Sequence, residues 1–277
     1  MQTRDFEAAT SRTDVFPHFL RRRDPPPPGP APRPPLTLPG LLGALASLAG
    51  YVLLLAFVVV VGAALGPGIP ERLNPLAPLD PAAPAGPLTA FKLDRATASP
   101  EACRAALDRI ATPGLTRLPD RRVSAECSIA GHTRVRKLSR ALLAPVSTSC
   151  PVALRLYLWE RHAVQPAARA HLGQGVAEIG HLDSFACRPI RTENGEGEAM
   201  SAHATASAID IGSVTLDSGR RLALADGWRN PDGKIRAFWR QLRDDGCTWF
   251  RTVLGPDFNS LHQDHFHLAQ GRYNSCR

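Results

Sequence analysis

The stretch ASAIDIGSVTLDSGRRLAL, residues 206–224, decides the fold. It reads as two strands joined by a turn at Asp217–Gly219, where Asp, Ser and Gly interrupt the strand-forming residues. One residue is out of place. Asp210 stands between Ile209 and Ile211 in an otherwise apolar strand. An unpaired carboxylate buried there is costly, so a cation partner is expected.

Helices and further strands lie on both sides of this stretch. SPEACRAALDRI opens on Ser99 and Pro100, a helix-start pair. RRVSAECSIA gives short strand-like pieces, and CPVALRLYLWERHAVQPAARAHLG has helical apolar spacing through Ala153, Leu154, Leu158 and Ala163, interrupted at Pro166. VAEIGHLDSFACR reads as a strand, RTENGEGEAM as a loop, IRAFWRQLRDDGC as an amphipathic helix and DHFHLA as a last strand. Strands and helices mix without a repeating βαβ rhythm, which predicts an α+β fold. Trp159, Trp228, Trp239 and Trp249 are expected in its core.

HQDHFHLA, residues 262–269, holds three of the 9 histidines and an aspartate within six residues. On a strand, His265 and His267 project from one face about 7 Å apart, with Phe266 and Leu268 on the other. That spacing suits one metal ligand and one neighbour placed to handle a proton. A catalytic zinc takes about three protein ligands. MSAHATASAIDIG supplies the others, His203 and, seven residues on, Asp210. Asp264 is a rival base that faces away from the metal on a regular strand. His132, His162, His171 and His181 match no motif and are expected at the surface.

The N-terminal part is organised differently. Leu41–Leu65 runs 25 residues without a charge, and about 20 suffice to cross a bilayer. Some 40 residues precede it, more than a cleaved signal peptide has, so an uncleaved anchor is expected. Arg4, Arg12, Arg21, Arg22, Arg23 and Arg33 come before it, and Arg72 alone closely follows. The positive-inside rule then leaves the N-terminus cytoplasmic and the rest beyond an inner membrane. The expected organisation is a Pro/Arg-rich disordered tail at 1–40, the anchor at 41–65, a Pro-rich spacer at 66–98 and a globular domain at 99–277. All six cysteines follow the anchor, as for disulfides made in an oxidising compartment. Cys103 and Cys127 are the expected local pair, worth about 3 kcal/mol in the chain-entropy model. The net charge of +8 suits an anionic wall polymer or membrane surface, and export argues against nucleic acid.

SAHATASAID resembles the SxHxxGxAxD motif of the zinc peptidases that group lysostaphin-type enzymes, D-alanyl-D-alanine peptidases and hedgehog domains. HQDHFH resembles the HxxHxH run of the murein endopeptidases in that group. From about Cys103 to Arg277 the chain is similar to the bacterial extensin-like C-terminal domain family, through CPVALRLYLWE, FACR, SAHATASAIDI, TVLGPDFN, HQDHFHLA and the terminal CR. The resemblance implies a small antiparallel sheet with flanking helices. It makes His203, Asp210 and His267 ligands of Zn2+, His265 the catalytic histidine, His262 an outer histidine and Arg188 a substrate-engaging arginine. Ala206 departs from the motif, which has Gly there; if that position needs positive φ, alanine is strained. The implied protein is a periplasmic, membrane-anchored zinc peptidase acting on peptide crosslinks or stem peptides of peptidoglycan. The alternative is a zinc-stabilised wall-binding module that does not hydrolyse.

Overall fold

The computed structural model describes residues 38–65, 69–271 and 274–277. Residues 1–37 of the expected tail, and 66–68 of the expected spacer, lie outside them. The chain divides into two compact units, residues 1–62 and 63–277. The uncharged stretch is a single helix, α1, Leu38–Leu65. Its Leu45–Gly62 window has a mean hydropathy of 2.5 and no buried residue, so α1 is long and apolar enough to cross a membrane.

The second unit is α+β and is built on a mixed nine-stranded sheet. Its strands are β1 (Leu115–Arg117), β2 (His132–Lys137), β3 (Leu142–Ser149), β4 (Val176–Asp183), β5 (Ala208–Leu216), β6 (Arg221–Ala223), β7 (Thr252–Leu254), β8 (Phe266–Ala269) and β9 (Ser275–Cys276). They lie in the order β1-β2-β3-β4-β5-β8-β7-β9, and β6 folds back on β5 through the expected turn. The sheet is thus larger than the small antiparallel one anticipated, and it holds two parallel pairings, β3 with β4 and β7 with β9. The first follows from the long helical crossover between β3 and β4, which returns the chain in the same direction. That crossover is α4 (Cys150–Trp159), a π-turn at Glu160–Val164, and α5 (Gln165–Leu172). Pro166 has no N–H to give and cannot continue a regular helix, and the π-turn absorbs the break. Glu160 in that turn is fully buried. It is satisfied by N–H groups of Ser139, Ala141 and Gln165.

Helix α2 (Thr89–Ala96), helix α3 (Pro100–Leu107) and helix α6 (Gly233–Trp249) contribute to the same core as α4 and α5. Ser99 caps α3 by accepting from the Ala102 N–H, and Pro100 takes the first turn. Along α6, Ile235, Phe238, Trp239, Leu242, Gly246 and Trp249 are buried at helical spacing. All four tryptophans are core residues. The packed unit also takes in part of the expected spacer: Leu79, Leu93 and Ala96 are in the core, and Asp94 pairs with the buried Arg155. RTENGEGEAM is not a plain loop. Pro189–Thr192 and Gly195–Met200 form an antiparallel ribbon turned at Gly195, whose φ is 117°. His132, expected at the surface, is buried and bonds the Pro119 carbonyl through Nδ1.

The cysteines pair differently from the local bridge anticipated. Cys103 joins Cys150, Cys127 joins Cys187, and Cys247 joins Cys276. Separations of 47 and 60 residues in the first two mean that fold contacts, not chain proximity, choose the partners. Loops that long stabilise by about 4 kcal/mol each in the chain-entropy model. Peptide mapping of the alkylated, unreduced protein should recover these three linked peptides and no free thiol. A Cys103–Cys127 peptide would refute the arrangement.

Candidate metal centre

The donors come together through strand register. β8 pairs antiparallel with β5, with His267 directly across from Asp210, Phe266 from Ile211 and Leu268 from Ile209. Directly opposed residues share a face, so Asp210 and His267 meet on the open side while their apolar neighbours enter the core. His203 arrives from a one-turn 3-10 helix, Ala202–Thr205, opened by Ser201, whose hydroxyl accepts from the His203 N–H. Ala206 ends that turn in left-handed geometry, φ 49° and ψ 32°. The strain that the Gly-to-Ala departure implied is therefore present. Its carbonyl accepts from the Ser149 N–H at 3.2 Å, which holds the residue in place.

One donor atom each from His203, Asp210 and His267 lie within 4.8 Å of one another. Asp210 Oδ1 is 2.9 Å and His203 Nε2 is 3.1 Å from His267 Nδ1. His203 Nε2 is 3.3 Å from Asp210 Oδ2. Ligand atoms around a tetrahedral zinc lie about 3.3 Å apart, given bonds near 2.0–2.1 Å, so the spacing fits such an ion. Proton counting points the same way. His203 is buried and its Nδ1 donates to the Ser184 carbonyl at 3.1 Å, which leaves Nε2 as an acceptor when the ring is neutral. His267 Nδ1 can bring one proton to two acceptors, so the trio calls for a further positive charge. Burial would raise the Asp210 pKa, but hydrogen bonds and charge from His203 and His267 outweigh it and hold the carboxyl well below the usual carboxylate range.

His265 is at the edge of the trio, with Nε2 3.7 Å from Asp210 Oδ2. Its Nδ1 bonds Asp264 Oδ1 at 2.8 Å. Asp264, whose side chain is exposed and which precedes the strand rather than belonging to it, fixes the ring of His265. His262 packs against both other histidines, with ring centroids 5.3 Å from His265 and 5.9 Å from His267. Its Nδ1 bonds Asn259 at 2.6 Å. Burial, then the charges of His265 and His267, push its pKa down to about 4 against the pull of Asp210 and Asp264. Arg188 lies on the neighbouring backbone, where its carbonyl accepts from the Ser201 N–H at 3.1 Å. Its guanidinium donates to the Pro189 carbonyl.

Two contributors were not foreseen. The Ser184 carbonyl, which sets the His203 tautomer, is a backbone group and leaves no residue-type signal. Glu193, at the turn of the exposed ribbon, accepts from the Ser260 N–H and hydroxyl at 3.1 and 2.6 Å and so braces the loop carrying His262.

A family model described as extensin-like protein C-terminus matches residues 101–277. Neither the curated proteins nor the solved structures gave a match.

The left-handed Ala206 yields a stability test. Glycine there relieves about 1–2 kcal/mol of backbone strain. It forfeits about 0.8 kcal/mol for a buried methyl and about 0.4–1 kcal/mol through unfolded-chain entropy. These offset, so Ala206→Gly should lie within about 1 kcal/mol of wild type by denaturant unfolding, whereas Ala206→Val, a β-branched outlier there, should cost several. Equal losses for both would show that the position is not held left-handed.

Proposed function

This chain belongs to the extensin-like protein C-terminus family, and from that premise we propose that it is a zinc-dependent peptidase of the bacterial cell wall. On this reading its core is that of the zinc peptidases sharing the SxHxxGxAxD and HxxHxH motifs. The substrates are peptide crosslinks or stem peptides of peptidoglycan, and helix α1 anchors the domain in the inner membrane. The arginines before α1 favour a cytoplasmic N-terminus, and three disulfides favour an oxidising periplasm for the rest.

The observation that carries the proposal is the trio His203, Asp210 and His267 with a carboxylate-backed His265 beside it. Structural zinc usually takes cysteine-rich sets that leave no open position, and here every cysteine is in a disulfide. A zinc ion bound by the three residues would polarise the scissile carbonyl and make water more acidic. His265, its Nδ1–H held by Asp264, presents Nε2 to take a proton from the attacking water and return it to the leaving amine. His262 packs on that ring and limits its rotation. Arg188 would turn from the Pro189 carbonyl to hold a substrate carboxylate or the developing oxyanion.

The purified full chain in detergent should carry one zinc per molecule by elemental analysis. His203→Ala, Asp210→Ala and His267→Ala should each remove it, and a triple variant that retained stoichiometric zinc would refute the ligand set. His265→Ala should keep the metal yet release product from purified muropeptides about 10² slower or worse. A wild-type protein that binds sacculi with its zinc in place but releases nothing would instead be a wall-binding module.

A further inference from the structure

Beside the loop that carries His262 and Asp264 is a cavity of about 530 Å3, whose lining includes Trp228, Arg229, Pro256, Ser260, Gln263 and Asp264. Its link to the centre described above runs through Asp264 and the residues before His262. Asp264 holds His265, and Ser260 and Leu261 directly precede His262. The volume falls in the range of small-ligand pockets, roughly 300–1,000 Å3.

The floor is rigid. Trp228 is buried, and its indole N–H donates to Asp257 Oδ1 at 2.8 Å. The Arg240 guanidinium lies 3.7 Å above the ring while pairing with the other oxygen of Asp257. The indole also meets the edge of Phe266, the residue between His265 and His267, at 5.9 Å. The polar groups of the wall divide into spent and unspent. The Ser260 hydroxyl is taken by Glu193, and Asp264 is engaged by His265. Among the described residues, the side chains of Arg229 and Gln263 have neither hydrogen bond nor ion pair. Arg229 offers a planar fork of N–H donors, and the Gln263 amide offers two more. A charged fork beside an amide is matched by a carboxylate, while Asp264 on the same wall disfavours the second negative charge of a phosphate.

We infer that this cavity is a carboxylate-recognition subsite in which Arg229 anchors the acid group of a peptide whose scissile bond lies at the metal centre. The inference rests on the peptidase reading for its substrate class. It assigns recognition to an arginine other than Arg188 and outside the two histidine motifs. The acid can be the chain-terminal carboxylate or that of a side chain, since both offer the same two oxygens.

The test uses the zinc-loaded full chain in detergent and a product stem tetrapeptide of peptidoglycan, which avoids turnover during calorimetry. Three forms are titrated: the free acid, the chain-end amide and the side-chain amide. Wild type should bind the free acid about tenfold to a hundredfold tighter than one of the amides, the usual reach of a charge-assisted pair. The weakened amide identifies the acid engaged. Arg229→Ala should lose that factor on the free acid and nothing further on the weak amide, with zinc content and Tm unchanged, and Arg229→Lys should recover part of it. Equal binding of all three forms by wild type, an Arg229→Ala loss shared by every form, or no binding at all would overturn the inference. Arg229-dependent binding without hydrolysis of any muropeptide would overturn the peptidase reading alone.

Discussion

The pairing of β8 with β5 is the constraint on which the rest depends. It brings His267 to within hydrogen-bond reach of Asp210 across 57 residues of sequence. Its register is fixed from the opposite face, where Ile209, Ile211, Phe266 and Leu268 are fully buried. Slipping β8 by one residue would turn its side chains over. His267 would go into the core and Phe266 and Leu268 out of it. Two large apolar side chains are worth about 1.5–3 kcal/mol each, before the cost of a buried imidazole without a partner. Hydrophobic packing, not affinity for an ion, therefore sets the spacing of these two donors.

The third donor and the proton-handling histidine lie off the strands and need other supports. His203 sits in a short turn clamped at its start by Ser201 and at its end by the left-handed Ala206. A second clamp crosses from the Ala186 N–H to the His203 carbonyl, one residue before Cys187 and its bridge to Cys127. At the other side, the bridge from Cys247 on α6 to Cys276 ties the chain end to the core just beyond β8. Covalent links thus bracket the loops on both sides of the trio, while the ladder between β5 and β8 holds its middle.

How much of this was legible depended on whether the signal was local. The strand pair around Asp217–Gly219, the Ser99 cap and the helical face of α6 follow from short-range patterns, and His203, Asp210 and His267 were grouped by joining two short motifs that lie far apart in the chain. The family itself was readable from its motifs. Cysteine partners were not, because bridges over 47 and 60 residues are chosen by the folded topology. Nor was the role of residues 77–96, where Leu79 stands among prolines and the buried Lys92, Leu93 and Ala96 belong to a helix of only eight residues. The 189–200 ribbon was read as a loop because it rests on no core and so lacks apolar alternation. The parallel pairing of β3 with β4 was missed because one long crossover does not make a repeating rhythm.

Asp210 and Gly212 show how sequence economy assembles the centre. Residues two apart on a strand share a face, so both look out from the open side of β5. A Cβ added at Gly212 would come within 3.4 Å of the Asp264 carbonyl and 3.7 Å of the Leu182 side chain. These are ordinary van der Waals distances, so the segment before β8 lies close against β5 at this point without the glycine being what admits it. Asp264 lies against β5 beside Gly212, and His265 next to it comes within 3.7 Å of the Asp210 carboxylate. In Asp-Ile-Gly the first residue supplies the charge, the second anchors the strand in the core, and the third is where the segment carrying the catalytic histidine of the proposed mechanism rests on the strand.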